Sequence, residues 1–315
     1  MMTDVDHSLP HQPVLLAEVL AGLAVRPDGR YVDGAFGRGG HAAAILEQLG
    51  PEGWLLALDR DPAAEAAAIA RFGADPRFSF IRRPFSRLAE TLAEREWLGQ
   101  VQGVLFDLGV SSPQLDDPQR GFSFGRNGPL DMRMDPTTGF SAAAWLARVD
   151  ETELNRVLAE WGEERFHRRA ARAIVTARQQ NPIETTRQLA EIIAAAVPTR
   201  EPGKHPATRA FQAIRIAVND ELGELRAVLP QAVAALAPGG RLAVISFHSL
   251  EDRMVKQFLR EQARGRELPL DLPVQGRPEG MTLRLMSRAV RPSAMEVAAN
   301  PRARSATLRV AERLA

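Results

Sequence analysis

Short apolar runs alternate with helical spacing through the first half of the chain, the pattern of a parallel sheet covered by helices. Tyr31-Val32-Asp33, Trp54 to Asp59, Phe78 to Ile81 and Val104 to Asp107 read as four strands. Between and after them, Ala42 to Leu49, Ala63 to Phe72 and Leu88 to Leu98 carry apolar residues at helical spacing, and Gly50-Pro51 stops the first. The alternation then breaks. Ser111 to Asp135 is rich in Pro, Gly and Asp and predicts a long ordered loop. Three helical patterns follow with no strand between them. One runs through Trp161 and opens on an Asp150/Glu153 cap pair; a basic one covers Gly162 to Gln180; the last covers Thr185 to Val197, with Gln188 in the capping position. Pro198 to Pro206 reads as a linker. A long helix, Ala207 to Ala237, precedes the stop signal Pro238-Gly239-Gly240. Arg241 to Phe247 is a strong strand, and Thr282 to Met286 and Thr307 to Ala311 are two more candidates. The expected architecture is an α/β domain of residues 1–114 and 205–315, interrupted by a helical insertion over residues 115–204.

Composition narrows the classes. Hydrophobic residues make 45% of the 315 and charged residues 25%, which excludes wholesale disorder and fibrous repeats. No run of about 18 apolar residues occurs, so no membrane span is expected. The first residues, with Asp4 and Asp6, lack the basic-then-apolar pattern of a signal peptide, and a cytoplasmic location is the expectation. Cysteine is absent, which rules out disulfides, a thiol nucleophile and thiolate metal sites. Net charge is +1 but is segregated: Trp161 to Arg215 carries +5, Arg253 to Ala315 carries +7, and the remainder carries −11. Only Lys204 and Lys256 are lysines, so the positive charge is almost all arginine, whose planar fork suits phosphate. The plain alternative for arginine in place of lysine is GC-rich coding, which does not explain the separation of sign. A polyanionic partner does.

The chemistry gathers where predicted strands end. Asp33-Gly34-Ala35-Phe36-Gly37-Arg38-Gly39-Gly40-His41-Ala42 joins the first strand to the first helix, and Gly37, Gly39 and Ala42 match the spacing of a nucleotide-binding turn. Asp59 closes the next strand, where an acid can accept both hydroxyls of a ribose. The plain alternative is a tight turn whose glycines serve helix–strand packing. Asp33 immediately before the turn would oppose a phosphate, which disfavours NAD and nucleoside triphosphates. It suits S-adenosyl-L-methionine, which lacks phosphate and carries a positive sulfonium and ammonium. Gly203-Lys204-His205 is not a P-loop. Asp107-Leu108-Gly109-Val110-Ser111-Ser112-Pro113-Gln114 and Ser246 to Arg253 leave the fourth and fifth strands at the same sheet edge. For His248 and Asp252 the alternative reading is a hydrogen-bonded loop with a helix cap.

These stretches, with Leu58 to Pro62, Asp107 to Arg133, Gly162-Glu163-Glu164-Arg165-Phe166, His205 to Arg209 and Asn300 to Ser305, resemble the ribosomal RNA small subunit methyltransferase H family. The resemblance runs from about His11 to the C-terminus. It implies a Rossmann-like class I S-adenosylmethionine-dependent methyltransferase with an inserted all-helical domain for rRNA recognition. The implied reaction is methylation of N4 of a cytosine in the decoding region of 16S rRNA, the partner being that rRNA within the small ribosomal subunit. By position, the resemblance assigns cofactor contacts to Gly39, Gly40, His41, Asp59, Phe85, Asp107 and Gln114.

Methyl transfer to an exocyclic amine requires no metal and no covalent intermediate. An acceptor near the amine favours pyramidal nitrogen, and in-line alignment supplies most of the rate. Asp107 is the candidate acceptor unless adenine occupies it, with His248 second; the Asp/Asn-Pro-Pro-aromatic motif of DNA amino-methyltransferases is absent after the fourth strand. Two other classes stay open, an NAD-dependent oxidoreductase on the same turn and a non-catalytic RNA-binding or ribosome-assembly protein. For RNA contact, Arg165, Arg168, Arg169 and Arg172 of the basic helix and Arg302 and Arg304 near the C-terminus are candidates.

Overall fold

The computed structural model describes residues 13–198, 205–265 and 279–315. Most of the expected linker, including Lys204, lies outside them. The chain divides into two compact units, one of residues 1–109 and 224–315, the other of residues 110–223.

The first unit is built on a seven-stranded sheet. Its opening strands are β1 (Arg30–Asp33), β2 (Trp54–Asp59), β3 (Phe78–Arg82) and β4 (Val101–Asp107), with α1 (Leu16–Leu23), α2 (Gly40–Gln48), α3 (Pro62–Phe72) and α4 (Leu88–Ala93). After the second unit, the chain returns through α11 (Glu221–Ala235), β5 (Leu236–Ser246), α12 (Ser249–Arg264), β6 (Leu283–Leu285), α13 (Ala294–Ala299) and β7 (Thr307–Arg313). Strand order is β3-β2-β1-β4-β5-β7-β6. The first five strands run parallel, and β7 pairs antiparallel with both β5 and β6. This is a Rossmann-like doubly wound sheet.

Strand side chains alternate between two apolar layers. Val32, Leu56, Leu58, Val104, Phe106, Leu242 and Val244 pack on one face with α4, α11 and α12 residues. Tyr31, Leu55, Ala57, Leu105, Ala243 and Ile245 pack on the other with α1, α2 and α3 residues. Burial on both faces explains why these strands read as unbroken apolar runs. Strand order reverses direction between β1 and β4, the place where open parallel sheets bind ligands.

The second unit holds α5 (Ser112–Asp116), α6 (Ala142–Arg148), α7 (Glu151–Glu160), α8 (His167–Gln180), α9 (Thr186–Ala196) and α10 (Thr208–Asn219). Its core uses Leu154, Val157 and Leu158 of α7, Ala170, Ala171 and Ile174 of α8, and Leu189 and Ile193 of α9. Ala210, Phe211, Ala213 and Ile214 of α10 join that core, so these helical residues pack in the second unit. The Pro- and Gly-rich stretch before α6 is held in place by side chains. Asn219 donates to the Met132 carbonyl at 2.7 Å and accepts from the Met134 N–H at 2.7 Å. Arg120 donates to the carbonyls of Arg133 and Met134.

Several boundaries differ from expectation. The helix expected over Ala207 to Ala237 is two helices, broken at Asp220, which takes a left-handed φ of 49°. The Arg215–Glu221 ion pair at 2.8 Å spans the break. The basic helix starts at His167 rather than Gly162: Glu163 is left-handed, and the buried Glu164 carboxylate accepts the Phe166 N–H at 2.8 Å. The helix expected to reach Leu98 ends at Ala93, before the left-handed Glu96. Pro238-Gly239-Gly240 falls within β5, at the register shift opposite Val101 and Gly103. α1, α6 and α13 had no counterpart in the sequence reading, whereas α12 is capped by His248, where the alternative reading placed a helix cap. Among the described residues, no helix is long and apolar enough to cross a membrane.

Candidate active site

Three buried or partly buried acids end neighbouring strands of the first unit: Asp33 on β1, Asp59 on β2 and Asp107 on β4. The turn after β1 leads into α2 with Gly39 as its N-cap. Gly39 has φ 72°, and a Cβ there would run into the Phe36 and Phe72 rings. A Cβ on Gly40 would come within 2.5 Å of Pro13. Packing alone therefore requires both glycines, and the same turn leaves backbone N–H groups at a helix N-terminus.

Asp59 braces that turn. Its Oδ2 accepts the Gly37 N–H at 2.8 Å and its Oδ1 accepts the Asp61 N–H at 2.9 Å. Each oxygen keeps a second lone pair for a ligand. Asp61 in turn accepts the Ala63 N–H and caps α3. Burial pushes the Asp59 carboxyl above the usual carboxylate range, and the two N–H donors pull it back.

His41 is 5% exposed. Its Nε2 lies 3.0 Å from the Val14 carbonyl, which can only accept, so Nε2 carries the proton. Nδ1 then faces Asp107 Oδ2 at 3.5 Å. Burial lowers the His41 pKa, with Asp33 opposing that effect through its charge. The contact with Val14 enlists a segment the sequence reading never used. Leu15 is left-handed and buried, and its N–H donates to Glu296 of α13 at 2.7 Å.

Asp33 and Asp107 are each pushed up to about 7, mainly by burial; nearby Glu251 raises Asp107 further, whereas His41 pulls Asp33 down. Asp107 Oδ1 is buried and makes no hydrogen bond. β4 and β5 pair in register with Asp107 beside Ile245, so Ser246, the last residue of β5, follows close by. Ser246 Oγ is likewise buried and unpartnered. His248 caps α12 through Nδ1, which accepts the Glu251 N–H at 3.5 Å, so its Nε2 carries the proton when neutral. That Nε2 is 3.1 Å from a Glu251 oxygen but makes no hydrogen bond. Buried Glu251 accepts the Phe247 N–H at 2.8 Å and the His248 N–H at 3.3 Å.

Asp252 is engaged elsewhere. Both its oxygens pair with Arg309 of β7, at 2.7 and 3.0 Å. Phe85 opens a short 3₁₀ turn after β3, half-buried, its ring edge-to-face with Phe106 at 5.6 Å. Gln114 belongs to the second unit. Its Oε1 accepts the Ser111 N–H at 2.8 Å in a capping box that starts α5. The first unit thus gathers Gly39, Gly40, His41, Asp59 and Asp107, with Asp33, at the carboxyl ends of its strands. Sequence reading missed Ser246 as an unpartnered group and Glu251 as a neighbour of Asp107. Both stand in the stretch Ser246 to Arg253, but only strand pairing brings that stretch to Asp107.

A solved rRNA methylase from Streptococcus thermophilus aligns over 98% of this chain and all of its own, at a TM-score of 0.44 and 10% identity. Sequence comparison shows the family. A ribosomal RNA small subunit methyltransferase H of Thioalkalivibrio sulfidiphilus is 65% identical, over 97% of this chain and 98% of its own. The protein of that name from Nitrosococcus oceani is 59% identical over 96% of each. Residues 8–314 match the family model described as the MraW methylase family, so the turn, the strand-end acids and the inserted helices all fall within the match. The chain belongs to the MraW methylase family.

Proposed function

We propose that this protein transfers a methyl group from S-adenosyl-L-methionine to N4 of a cytosine in the decoding region of 16S rRNA. The observation that carries the reading is the cluster of acids at the strand ends, with Asp107 Oδ1 buried and unpartnered among them. Three carboxylates around the glycine turn repel phosphate and suit a ligand with two positive centres, so the residues fit this methyl donor better than a nicotinamide dinucleotide. The names of the relatives support the RNA substrate. Cytoplasmic location and action on the small subunit follow from the same reading.

In it, Gly39, Gly40 and His41 line the donor's approach, Asp59 accepts the ribose hydroxyls, and Phe85 offers an apolar ring to adenine. The family resemblance assigns Gln114 to the donor as well. Bound S-adenosylmethionine supplies an electrophilic methyl group. Asp107 Oδ1 accepts an N–H of the cytosine amine, holds the nitrogen lone pair out of ring conjugation and takes up positive charge as it builds. A carboxyl near pH 7 is poised to accept the proton that the amine sheds. His41 Nδ1, facing Asp107 Oδ2, steadies that proton, while Ser246 and His248 offer donors to the acceptor edge of the base.

The test is to offer labelled methyl donor with purified small subunits, free rRNA and DNA, and to identify the modified base. N4-methylcytosine in rRNA is expected. Label on another base, or none on RNA, overturns the reading.

A further inference from the structure

Outside the strand-end site, the outer face of α12 is strongly basic. At 3.6 residues per turn, Arg253, Lys256, Arg260 and Arg264 fall within an arc of about 80°, along about 16 Å of helix. They line a groove of about 310 Å³ together with Gln257 and Glu261. Lys256, Arg260 and Arg264 have no carboxylate partner among the described residues. The helix carries three acids, and among the described residues none forms an ion pair with these three cations. Glu251 is buried, Asp252 is held by Arg309, and Glu261 accepts from the Gln257 amide at 2.9 Å. The favourable field at a helix C-terminus accounts for Arg264 but not for Arg253 or Lys256, which lie well before the last turn.

The opposite face settles which polyanion fits. Val255 and Leu259 are buried in the sheet core, and Met254 and Phe258 pack against it. α12 therefore has no apolar face to lay into a lipid surface. What remains is a row of cations three and four residues apart on a helix packed against the sheet, three of the four being arginine, whose planar fork suits phosphate. We propose that the outer face of α12 binds the phosphates of the substrate RNA and positions it on the first unit. This rests on the reading of the protein as an rRNA methyltransferase and assigns that RNA a docking track.

The experiment compares the full chain with the triple variant Lys256→Ala, Arg260→Ala, Arg264→Ala, using free small-subunit rRNA as probe and titrating salt. The slope of log affinity against log salt is expected to fall by about 2, since each phosphate contact contributes about 0.7 on single strands. KM for rRNA should rise about tenfold or more. Thermal midpoint and S-adenosylmethionine affinity should stay unchanged, and the pair Arg260→Lys, Arg264→Lys should keep the slope. If the unaltered chain binds and methylates rRNA but the triple variant keeps its slope and KM, the surface is wrong and the methyltransferase reading stands. If the unaltered chain neither binds nor methylates rRNA, whether free or within purified small subunits, the functional reading itself falls and takes this surface with it. Binding of the unaltered chain to phosphatidylserine vesicles in preference to rRNA, lost in the triple variant, also overturns the proposal.

Discussion

The two ends of the strand-edge site differ in how their polar groups are satisfied. Around β1 and β2, each acid or imidazole works within the protein: Asp59 accepts from Gly37 and Asp61, Asp61 caps α3, and His41 donates to Val14. Around β4 and β5, three buried polar atoms have no hydrogen bond among the described residues: Asp107 Oδ1, Ser246 Oγ and His248 Nε2. Leaving such groups unsatisfied costs about 1–3 kcal/mol each. A fold tolerates this where a ligand completes the pairing, whereas the braced side is a cradle that is rigid before any ligand arrives. In the function proposed above, that difference divides the labour: the β1–β2 end would hold the donor, and the β4–β5 end would act on the substrate.

The sharpest break of that division is Asp107→Asn. Methyl transfer should fall about 100-fold or more, the scale of losing an acceptor in general-base chemistry, with a smaller change in donor affinity. Single-turnover kinetics beside calorimetry checks it. A loss confined to donor binding would move Asp107 to the cradle side.

Asp59→Ala tests the opposite end. Donor binding should weaken by ~1.5–3 kcal/mol, the scale of charge-assisted hydrogen bonds lost at a buried site. Because Gly37 and Asp61 lose their acceptor as well, thermal stability should drop in the same variant, which scanning calorimetry measures. Asp107→Asn should not share that loss, since its Oδ1 has no hydrogen bond among the described residues.

Titration gives a third contrast. Asp33 and Asp107 keep their protons to about pH 7 in the folded chain, against 3.8 ordinarily. Folded protein then holds more protons than unfolded between those limits, so these groups make stability fall as pH rises from about 4 to about 7. His41, lowered by burial, acts in the other direction: its contribution is complete above its ordinary value of 6.5 and is lost as pH falls below it. A cationic ligand favours the ionised acids. S-adenosylmethionine affinity should therefore rise by about tenfold from pH 6 to pH 8, with proton release at the lower pH, and S-adenosylhomocysteine should gain less. Calorimetry in buffers of different ionisation enthalpy reads both. Equal gains for the two ligands would place the acids near their shared ammonium.

The smallest effect is expected in the second unit. Arg168 and Arg172 are exposed on α8, and Arg172 lies 3.8 Å from Glu151, an exposed pair of little energy. Alanine at both should lower the salt slope of RNA binding by about 1.4, less than the α12 triple variant, and leave donor affinity alone. Filter binding across a salt series compares the two faces directly.

Much of this was legible before the fold. The limits of β2 match the reading from Trp54 to Asp59, because strands buried on both faces write themselves as apolar runs. The caps at Asp150 and at Thr185 with Gln188 form as expected, since they depend on residues three apart. The glycine turn and Asp59 were readable because strand, turn and helix follow one another in the chain. Where the reading failed, a single backbone choice intervened. Asp220 and Glu163 adopt left-handed conformations that no glycine announces, and long-range partners hold them: Asn219 is bonded to Met132 and Met134, and Glu164 is buried.

The sequence by itself determined the doubly wound sheet, the acids at three strand ends and the separation of charge, since these rest on local periodicity and short spacing. Tertiary structure alone decided which polar atoms stay unpaired. Pairing of β4 with β5 across the whole second unit puts Ser246 beside Asp107, and the Pro13–Leu15 segment folds back to engage His41. Those contacts join residues far apart in the chain, where only burial, and the cost of leaving polar groups dry, selects the partners.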